Sequence, residues 1–551
     1  MFFRTYSATL IGVNSRIIEV EVDFKKGLPN NTIVGLPDPA IREARERVNA
    51  AIRNSGFEFP IGRLTVNLAP AQLKKEGTSF DMAIATGILL VSNQIKSRID
   101  ISRLLLIGEL ALDGMIRPVR GIIAIVQEAR EKGILYVVLP KENMNEASLV
   151  SGIKLVPVER LKEVAEIFAS EESIEAKQVT CDQGVLSNRK MDKPGGILGD
   201  RYASMYSGTD EGSMDFSEVI GQEYVKRAAQ ICIAGAHNML LIGSPGSGKT
   251  MVASRLPTIM PDLSEEESIE TTKIYSIAGL LAEGFGLMKK RPFRAPHSTA
   301  SNVSIIGGGK NPIPGEITLA HNGVLFLDEF PEFNRNVIQA LRQPVENGSI
   351  TISRADTRIT FPARFILVGS MNPCPCGYLF DSDNECHCDP RKVRQYYMKL
   401  SAPILDRFDL QVVVNPLKID SMITPDRGTN SSSIKQGVLV ARETQNRRFK
   451  DMGGGYYNSN MNDEDIEKYC VIKNDVKKLL FEAAKIYNMS MRGFQKVLKV
   501  ARTIADLNQK ENIGEGEVLE ALNYRGVSHI LSSYFRNKSG LLTPNSSFGK
   551  K

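Results

Sequence analysis

The chain has no tryptophan, only five histidines, and no apolar run of the ~18 residues needed to cross a bilayer as a helix. Its opening, MFFRTYSATLIGVNSR, lacks the basic n-region and long apolar stretch of a secretory signal, so the cytoplasm is the expected compartment. Thiols stay reduced there, and clustering among the seven cysteines therefore points to metal binding or packing rather than disulfides. The charge is not one-sided either. Sixty-nine Lys and Arg stand against 63 Asp and Glu, a formal net charge of +6. That mild excess permits a polyanionic partner without demanding one. No repeat of roughly 20–50 residues is visible. What remains is an ordinary globular composition, 42% hydrophobic and 24% charged, over 551 residues. That length is too great for one compact core, and about two to four domains are expected.

Residues 1 to about 170 alternate strand-like and helix-like segments. IIEVEVDF and RLTVNLAP are β-rich, and AIREARERVNAAIRNSG has the period of an amphipathic helix ended by glycine. LLLIGEL, IAIVQEAREKG and LYVVLP repeat the alternation, which predicts a self-contained α/β unit over 1–170. From 171 to 213 the chain turns polar and glycine-rich (DQGVLSNRKMDKPGG, MYSGTDEGS) and reads as a linker. A second α/β block is expected over 214–416. A mainly helical unit follows over 417–536 (DVKKLLFEAAKIY, FQKVLKVARTIADL, EGEVLEALNYR), then a frayed tail over 537–551.

The apolar strand MLLIG runs directly into Gly243-Ser244-Pro245-Gly246-Ser247-Gly248-Lys249-Thr250. This is the Walker A pattern in its required setting, a strand before it and a helix after it. Its glycines let backbone amides curl around phosphate oxygens, and the helix N-terminus adds its dipole. Lys249 is expected to reach the β- and γ-phosphates and Thr250 to ligate magnesium, so ATP and Mg2+ are the expected cofactors. Downstream, Val324-Leu325-Phe326-Leu327 ends in Asp328-Glu329. An apolar run ending in two acids is common and often structural. Beside an intact Walker A it gains meaning: Asp328 can hold magnesium and Glu329 can polarise the attacking water. A third strand, FILVGSMN, ends in Asn372, a candidate to position that water. An arginine near a γ-phosphate stabilises transition-state charge, often across a subunit interface. Arg407 in ILDRFD and Arg492 in SMRG are the candidates, though each alone reads as a solvated surface cation.

Longer stretches accompany these motifs: IVGLPDPAIREARERVNAAIRNSGFEFP, RLTVNLAPAQLKKEGTSFDMAIATGIL, RPFRAPHSTAS, GEITLAHNGVLFLDEF, NPCPCG, LDRFDL and RGFQKVLKVARTIADL. On them the whole chain resembles the YifB/ComM family of magnesium-chelatase-like AAA+ ATPases. The fold class this implies is α/β, an AAA+ P-loop NTPase core of the helix-2-insert type. A Lon-protease-like α/β domain is implied before it and a helical lid of the magnesium-chelatase C-terminal type after it. The resemblance further implies a homo-hexameric ring acting on single-stranded or branched DNA, as a branch-migration helicase in natural transformation. Asn372 matches sensor 1, Arg407 the arginine finger and Arg492 the sensor-2 arginine. Ile220 and Gly221 join the nucleotide-binding residues. His297, in RPFRAPHST, matches the family without a role that its chemistry reveals.

The long interval between Lys249 and Asp328 fits a helix-2 insert, and Gly307-Gly308-Gly309-Lys310 is a plausible tip for a loop directed at the pore. Glycine backbone approaches a phosphate closely and Lys310 adds charge. SITISRADTRITF offers a second candidate, two strand-like runs with Arg354 near their junction. An ordinary exposed loop is the alternative for both.

In the N-terminal unit, KKEGTSFDMAIATGIL aligns with the Lon segment that bears the nucleophilic serine, and Ser79 falls on that position. Lon pairs its serine with a lysine. Here Ile123 occupies the lysine position and cannot take a proton, while Lys132 lies nine residues further on. No peptidase activity is therefore expected. Cys374, Cys376, Cys386 and Cys388 form CPC…CHC around His387, and four thiolates can complete a tetrahedral zinc shell. Both pairs are C-x-C rather than the commoner C-x-x-C, so unligated thiols packed in a loop are the alternative. Cys181, Cys232 and Cys470 are isolated and read as packing or surface residues. The leading reading is a DNA motor. The alternative is a magnesium-chelatase-type motor subunit driving metal insertion into a tetrapyrrole, which shares the ATPase core. A third, an ATP-dependent protease, fails on Ile123.

Overall fold

The computed structural model describes residues 1–525 apart from 37, 74, 76, 170, 181–213, 282–285, 310–311, 354–357, 382–383, 401, 417–427, 453 and 488. Lys310, Arg354, Cys181, the tail expected over 537–551 and most of the expected linker lie outside the described residues.

In the N-terminal unit, Asn14–Lys25 buries Ile18, Val20 and Val22 while the residues between them stay more exposed, the period-two pattern of a half-buried strand. It pairs antiparallel with Phe2–Ile11, and the sheet continues through Arg63–Ala69 to Asn30–Val34. A second sheet runs Leu104–Leu106, Tyr136–Pro140, Lys154–Val158 and Val179–Thr180. Helix Asp81–Val91 is buried along its whole length. Its one charge, Asp81, is paired with Arg47 at 3.0 Å, as a buried carboxylate must be. Residues 171–180, expected to open the linker, instead form helix Glu171–Lys177 and strand Val179–Thr180, which pairs with Leu155 and Lys154. Ile174, buried at 1% exposure, anchors this extension.

The second α/β block is built on five parallel strands in the order Phe293–Arg294, Val324–Leu327, Ile366–Met371, Met239–Gly243, Leu410–Val414. Both faces are covered, which explains why these strands read as unbroken apolar runs. Met239, Leu241, Val324, Phe326 and Val368 face one core together with helices Glu223–Gly235, Ser431–Arg448 and Met491–Leu507. Leu240, Ile242, Leu325, Leu327 and Leu367 face the other. Each such apolar side chain contributes about 1.5–3 kcal/mol on burial. The interval between Lys249 and Asp328 holds helix Glu265–Ala278, whose Ser264 and Glu267 form a capping box, and the short pair Gly307–Gly308 with Ile313–Pro314. That helix docks on the N-terminal unit: the Lys273 ammonium donates to Gln127 Oε1 at 3.2 Å, and the Ser276 hydroxyl donates to Glu146. SITISRADTRITF forms the antiparallel strands Ser349–Ser353 and Arg358–Pro362.

Candidate nucleotide site

Parallel strands share one polarity, so their C-terminal ends open on one edge of the sheet, where α/β folds bind ligands. Strand Met239–Gly243 delivers the phosphate loop to that edge. A Cβ on Gly243 would stand 2.3 Å from the Val414 carbonyl oxygen, so only glycine lets the strand lie this close to its neighbour. Gly246 and Gly248 adopt φ of +78° and +90°, and a Cβ on either would point into open space. The Ser244 and Ser247 hydroxyls are buried without a hydrogen-bond partner among the described residues. The open turn at Gly246 and Gly248 leaves room for backbone amides to curl around an anion with many oxygens, and triphosphate is such a group. Gln222, with φ +54° beside Gly221, donates from Nε2 to the Ser247 carbonyl at 3.1 Å and the Asn415 carbonyl at 3.2 Å. It thereby ties the Ile220-Gly221 segment to the loop.

The Lys249 ammonium donates to the carbonyls of Gly243 and Ser244, each at 2.9 Å, and to Asn372 Oδ1 at 3.3 Å. Burial lowers its pKa, opposed by the charges of Asp328 and Glu329. The Thr250 hydroxyl donates to Asp328 Oδ2 at 2.9 Å, which puts a neutral and an anionic oxygen ligand side by side, the donor set a magnesium ion takes. Because Ile366–Met371 lies between the other two strands, Asn372 emerges between Lys249 and the acidic pair. Glu329 has φ +51°, an uncommon conformation for a residue with a side chain. Its amide donates to Ser370 Oγ and to Asp328 Oδ1, both at 3.1 Å, and the Ser370 hydroxyl donates to Asp328. Ser370 thus holds both acids. It was not among the residues singled out above, although a lone hydroxyl in the apolar run FILVGSMN was its visible signal.

Lys249, Thr250, Asp328, Glu329 and Asn372 therefore share one edge. Arg407 and Arg492 do not join them. Arg407 precedes strand Leu410–Val414, at the N-terminal edge, roughly 15 Å of strand away. There its guanidinium pairs with Glu346, and Arg492 stands 3.8 Å from the same carboxylate. Lys496, in the helix that carries Arg492, donates to the Arg407 carbonyl at 2.9 Å and to Asp409. Burial would raise the Asp409 carboxyl, but the Lys496 charge and His237 hold it far below the ordinary carboxylate range. Glu346, too, escaped notice in the sequence, because nothing in RQPVEN marks it.

The four cysteines also converge. Cys374 Sγ lies 3.3 Å from Cys376 Sγ, and Cys386 Sγ is 3.6 Å from both. All four sulfurs, Cys388 included, lie within 4.8 Å of one another. Sulfurs about 2.3 Å from a tetrahedral zinc stand ~3.8 Å apart, so the donor set fits that ion. The C-x-C spacing is accommodated by a turn in which the Gly377 amide donates to the Cys374 carbonyl at 3.0 Å, with Gly377 at φ +90°. His387 is exposed and outside the cluster. Cys232 and Cys470 are buried, the latter thiol pushed up to about 12 by burial. His297 is exposed, with Nδ1 2.8 Å from Thr299 Oγ1.

The competence protein ComM of Haemophilus influenzae is 40% identical over 527 residues, covering 96% of this chain and 98% of that protein. The chain belongs to the YifB/ComM family. YifB of Escherichia coli is 39% identical, over 96% of this chain and 97% of that protein. Family models match in three places: magnesium chelatase, subunit ChlI, over residues 215–422; subunit ChlI of Mg-chelatase over 20–143; and the ChlI C-terminal region over 428–525. The magnesium-chelatase 38 kDa subunit of Rhodobacter capsulatus is 25% identical over 29% of this chain and 50% of that protein. As a YifB/ComM protein the chain is an AAA+ ATP hydrolase with a mixed α/β architecture. No helix among its described residues is long and apolar enough to cross a membrane.

Proposed function

We propose that the chain is one sector of a homo-hexameric ring that hydrolyses ATP to drive DNA through its centre, as a branch-migration helicase in recombination or natural transformation. The observation that carries this reading is the separation of Arg407 and Arg492 from the phosphate loop, at the opposite edge of the same sheet. Arginines so located suit the nucleotide of an adjoining copy, and repetition of that heterologous contact closes a ring. In such a site Lys249 and the loop amides bind the phosphates, while Thr250 and Asp328 would hold magnesium. Magnesium, when bound, neutralises charge on the β- and γ-phosphate oxygens. Glu329 orients the attacking water and takes its proton, Asn372 steadies the water against the γ-phosphate, and the neighbour's Arg407 and Arg492 stabilise the charge that develops.

Lys310 and Arg354 are assigned to DNA contact. The antiparallel pairs flanking them, Gly307–Gly308 with Ile313–Pro314 and Ser349–Ser353 with Arg358–Pro362, support hairpins for the purpose. The division at 213/214, 416/417 and 536/537 belongs to the same reading, with the N-terminal unit extended from 170 through Thr180, a Lon-like scaffold that lacks peptidase chemistry, and a helical lid. The four cysteines hold zinc. The chelatase-motor alternative shares the core, but likeness to ComM along the whole chain, and that protein's link to competence, support the DNA motor.

The test is ATP turnover with and without single-stranded and branched DNA, beside Glu329→Gln. DNA should stimulate turnover, branched duplex should be unwound, and Glu329→Gln should bind ATP while losing about 100-fold or more of the rate. Lys310→Ala with Arg354→Ala should remove the stimulation and spare ATP binding. Turnover indifferent to DNA, with porphyrin-dependent binding of a partner protein, would favour the chelatase instead.

A further inference from the structure

The cysteine cluster lies against the nucleotide site. Cys374 follows Asn372 by two residues, with Pro373 between them. The turn Cys374–Gly377 presses on the phosphate loop: a Cβ on Gly377 would stand 2.5 Å from Pro245 Cδ and 3.0 Å from its Cγ. Two residues after Cys388 the chain enters helix Pro390–Lys399, which brings two tyrosines back to the start of the loop. The Tyr397 hydroxyl donates to the Pro373 carbonyl at 2.9 Å, and the Tyr396 ring packs edge-on against the Tyr397 ring with centroids 5.9 Å apart. Both rings pack with the core beneath the sheet edge. The two described stretches, Asn372–Asp381 and Asn384–Tyr397, are therefore pinned at the root by the tyrosines and drawn together by four sulfurs.

Phe380, Val393 and the two tyrosines hold the loop to the core, but the stretch that carries Cys386 and Cys388 is polar and mostly exposed, so its closure onto Cys374 and Cys376 rests on whatever bridges the thiols. The residue it positions is Asn372, whose amide oxygen meets the Lys249 ammonium at 3.3 Å. We propose that zinc held by Cys374, Cys376, Cys386 and Cys388 is a latch that fixes Asn372 and seats the Cys374–Gly377 turn on Pro245, so that metal occupancy sets the rate of ATP hydrolysis. This rests on the nucleotide-site reading above and adds a control to it. Asn372 acts on the nucleotide; the four cysteines act through it and are positioning residues. Metal loss then slows the chemical step while phosphate binding, held mainly by the Gly243–Thr250 backbone, persists.

The experiment uses the full chain, purified, stripped of metal, dialysed free of chelator and reloaded with Zn2+ or Co2+. Metal content, affinity for a fluorescent ATP analogue, and magnesium-dependent ATP turnover are measured on each form. About one zinc per chain is expected, and cobalt should give the absorption of a tetrahedral thiolate site. Stripping, or Cys386→Ser, should cut turnover about tenfold or more, the scale of lost support around a site. Affinity for the analogue should stay within about threefold, a kcat effect rather than a binding effect. Zinc should rescue the stripped wild type and not Cys386→Ser. Tyr397→Phe, which leaves the thiols in place, should keep its zinc and still lose turnover.

Four results would overturn the latch: no metal taken up, metal removed without change in turnover, Tyr397→Phe turning over at the wild-type rate, or analogue binding lost together with the rate. Failure of the underlying reading looks different. The zinc-loaded wild type would then bind its metal and show no ATP turnover at all.

Discussion

Arg407 and Glu346 form an ion pair at the edge of the five-stranded sheet opposite Lys249, and Arg492 approaches the same carboxylate at 3.8 Å. The Arg407 side chain is 11% exposed and Arg492 69%, so Glu346 restrains the first far more than the second. For Arg407 to meet a neighbour's phosphate it must release Glu346. Arg407→Ala should leave ATP-analogue affinity near wild type and cut turnover about 1000-fold, the scale of an arginine finger. Glu346→Gln should act oppositely and raise basal turnover roughly two- to fivefold, since a partly exposed pair contributes about 1 kcal/mol at most. Mixing Arg407→Ala with Glu329→Gln protein should recover activity neither has alone, because some interfaces then hold both intact halves. Steady-state ATP turnover of the mixtures checks this; no recovery at any ratio would place the arginine on its own subunit.

Ser370 is a less visible determinant. Its hydroxyl donates to Asp328 and accepts from the Glu329 amide. Ser370→Ala removes a charge-assisted hydrogen bond to the half-buried Asp328 carboxylate, at about 1–3 kcal/mol, and leaves the Glu329 amide only its bond to Asp328 Oδ1. We expect turnover to fall about tenfold or more, with the magnesium requirement shifted to higher concentration. A magnesium titration of turnover, run beside thermal melts, separates this from simple unfolding.

A pH effect is built into the insert. Glu270, in helix Glu265–Ala278, lies 3.1 Å from His321 Nε2 and 2.8 Å from Arg364. Burial would raise its carboxyl, but hydrogen bonding and charge from His321, with the Arg364 charge, hold it at about 2, below the reference value of 4.5. The stability this supplies is fully present above 4.5 and is lost as pH falls through about 2. The Glu270 side chain is 37% exposed, so solvent screening keeps the effect near 1 kcal/mol or less. Glu270→Gln should therefore lower Tm at pH 6, with the gap closing as the medium is acidified. A gap that persists at the lowest pH would mean a packing defect instead.

The N-terminal unit should show no proteolysis. Ser79 Oγ donates to the Ala8 carbonyl at 3.3 Å, and Ile123 is fully buried in an apolar cluster. Lys132 lies at the far end of the same helix, about 13 Å along its axis. Purified protein with ATP and casein should release no peptides. Degradation that disappears in Ser79→Ala would contradict this.

The sequence by itself determined whatever is built from contiguous backbone. Gly243–Thr250 is a cradle made of neighbouring residues, so its glycines, lysine and threonine carry their roles in their spacing. The apolar runs at 239–243, 324–327 and 366–371 were legible as buried strands because parallel strands are covered on both faces. Strand order is not written in any one segment. Only the fold inserted Ile366–Met371 between the other two, and with it Asn372 and Ser370 between Lys249 and the acids. Only the fold sent Arg407 and Arg492 to the far edge to share Glu346, and turned an unpromising CPC…CHC spacing into four sulfurs within 4.8 Å. Local motifs follow from covalent neighbours. Relations between motifs depend on which strands pack side by side, and that is decided by burying both faces of the sheet at once.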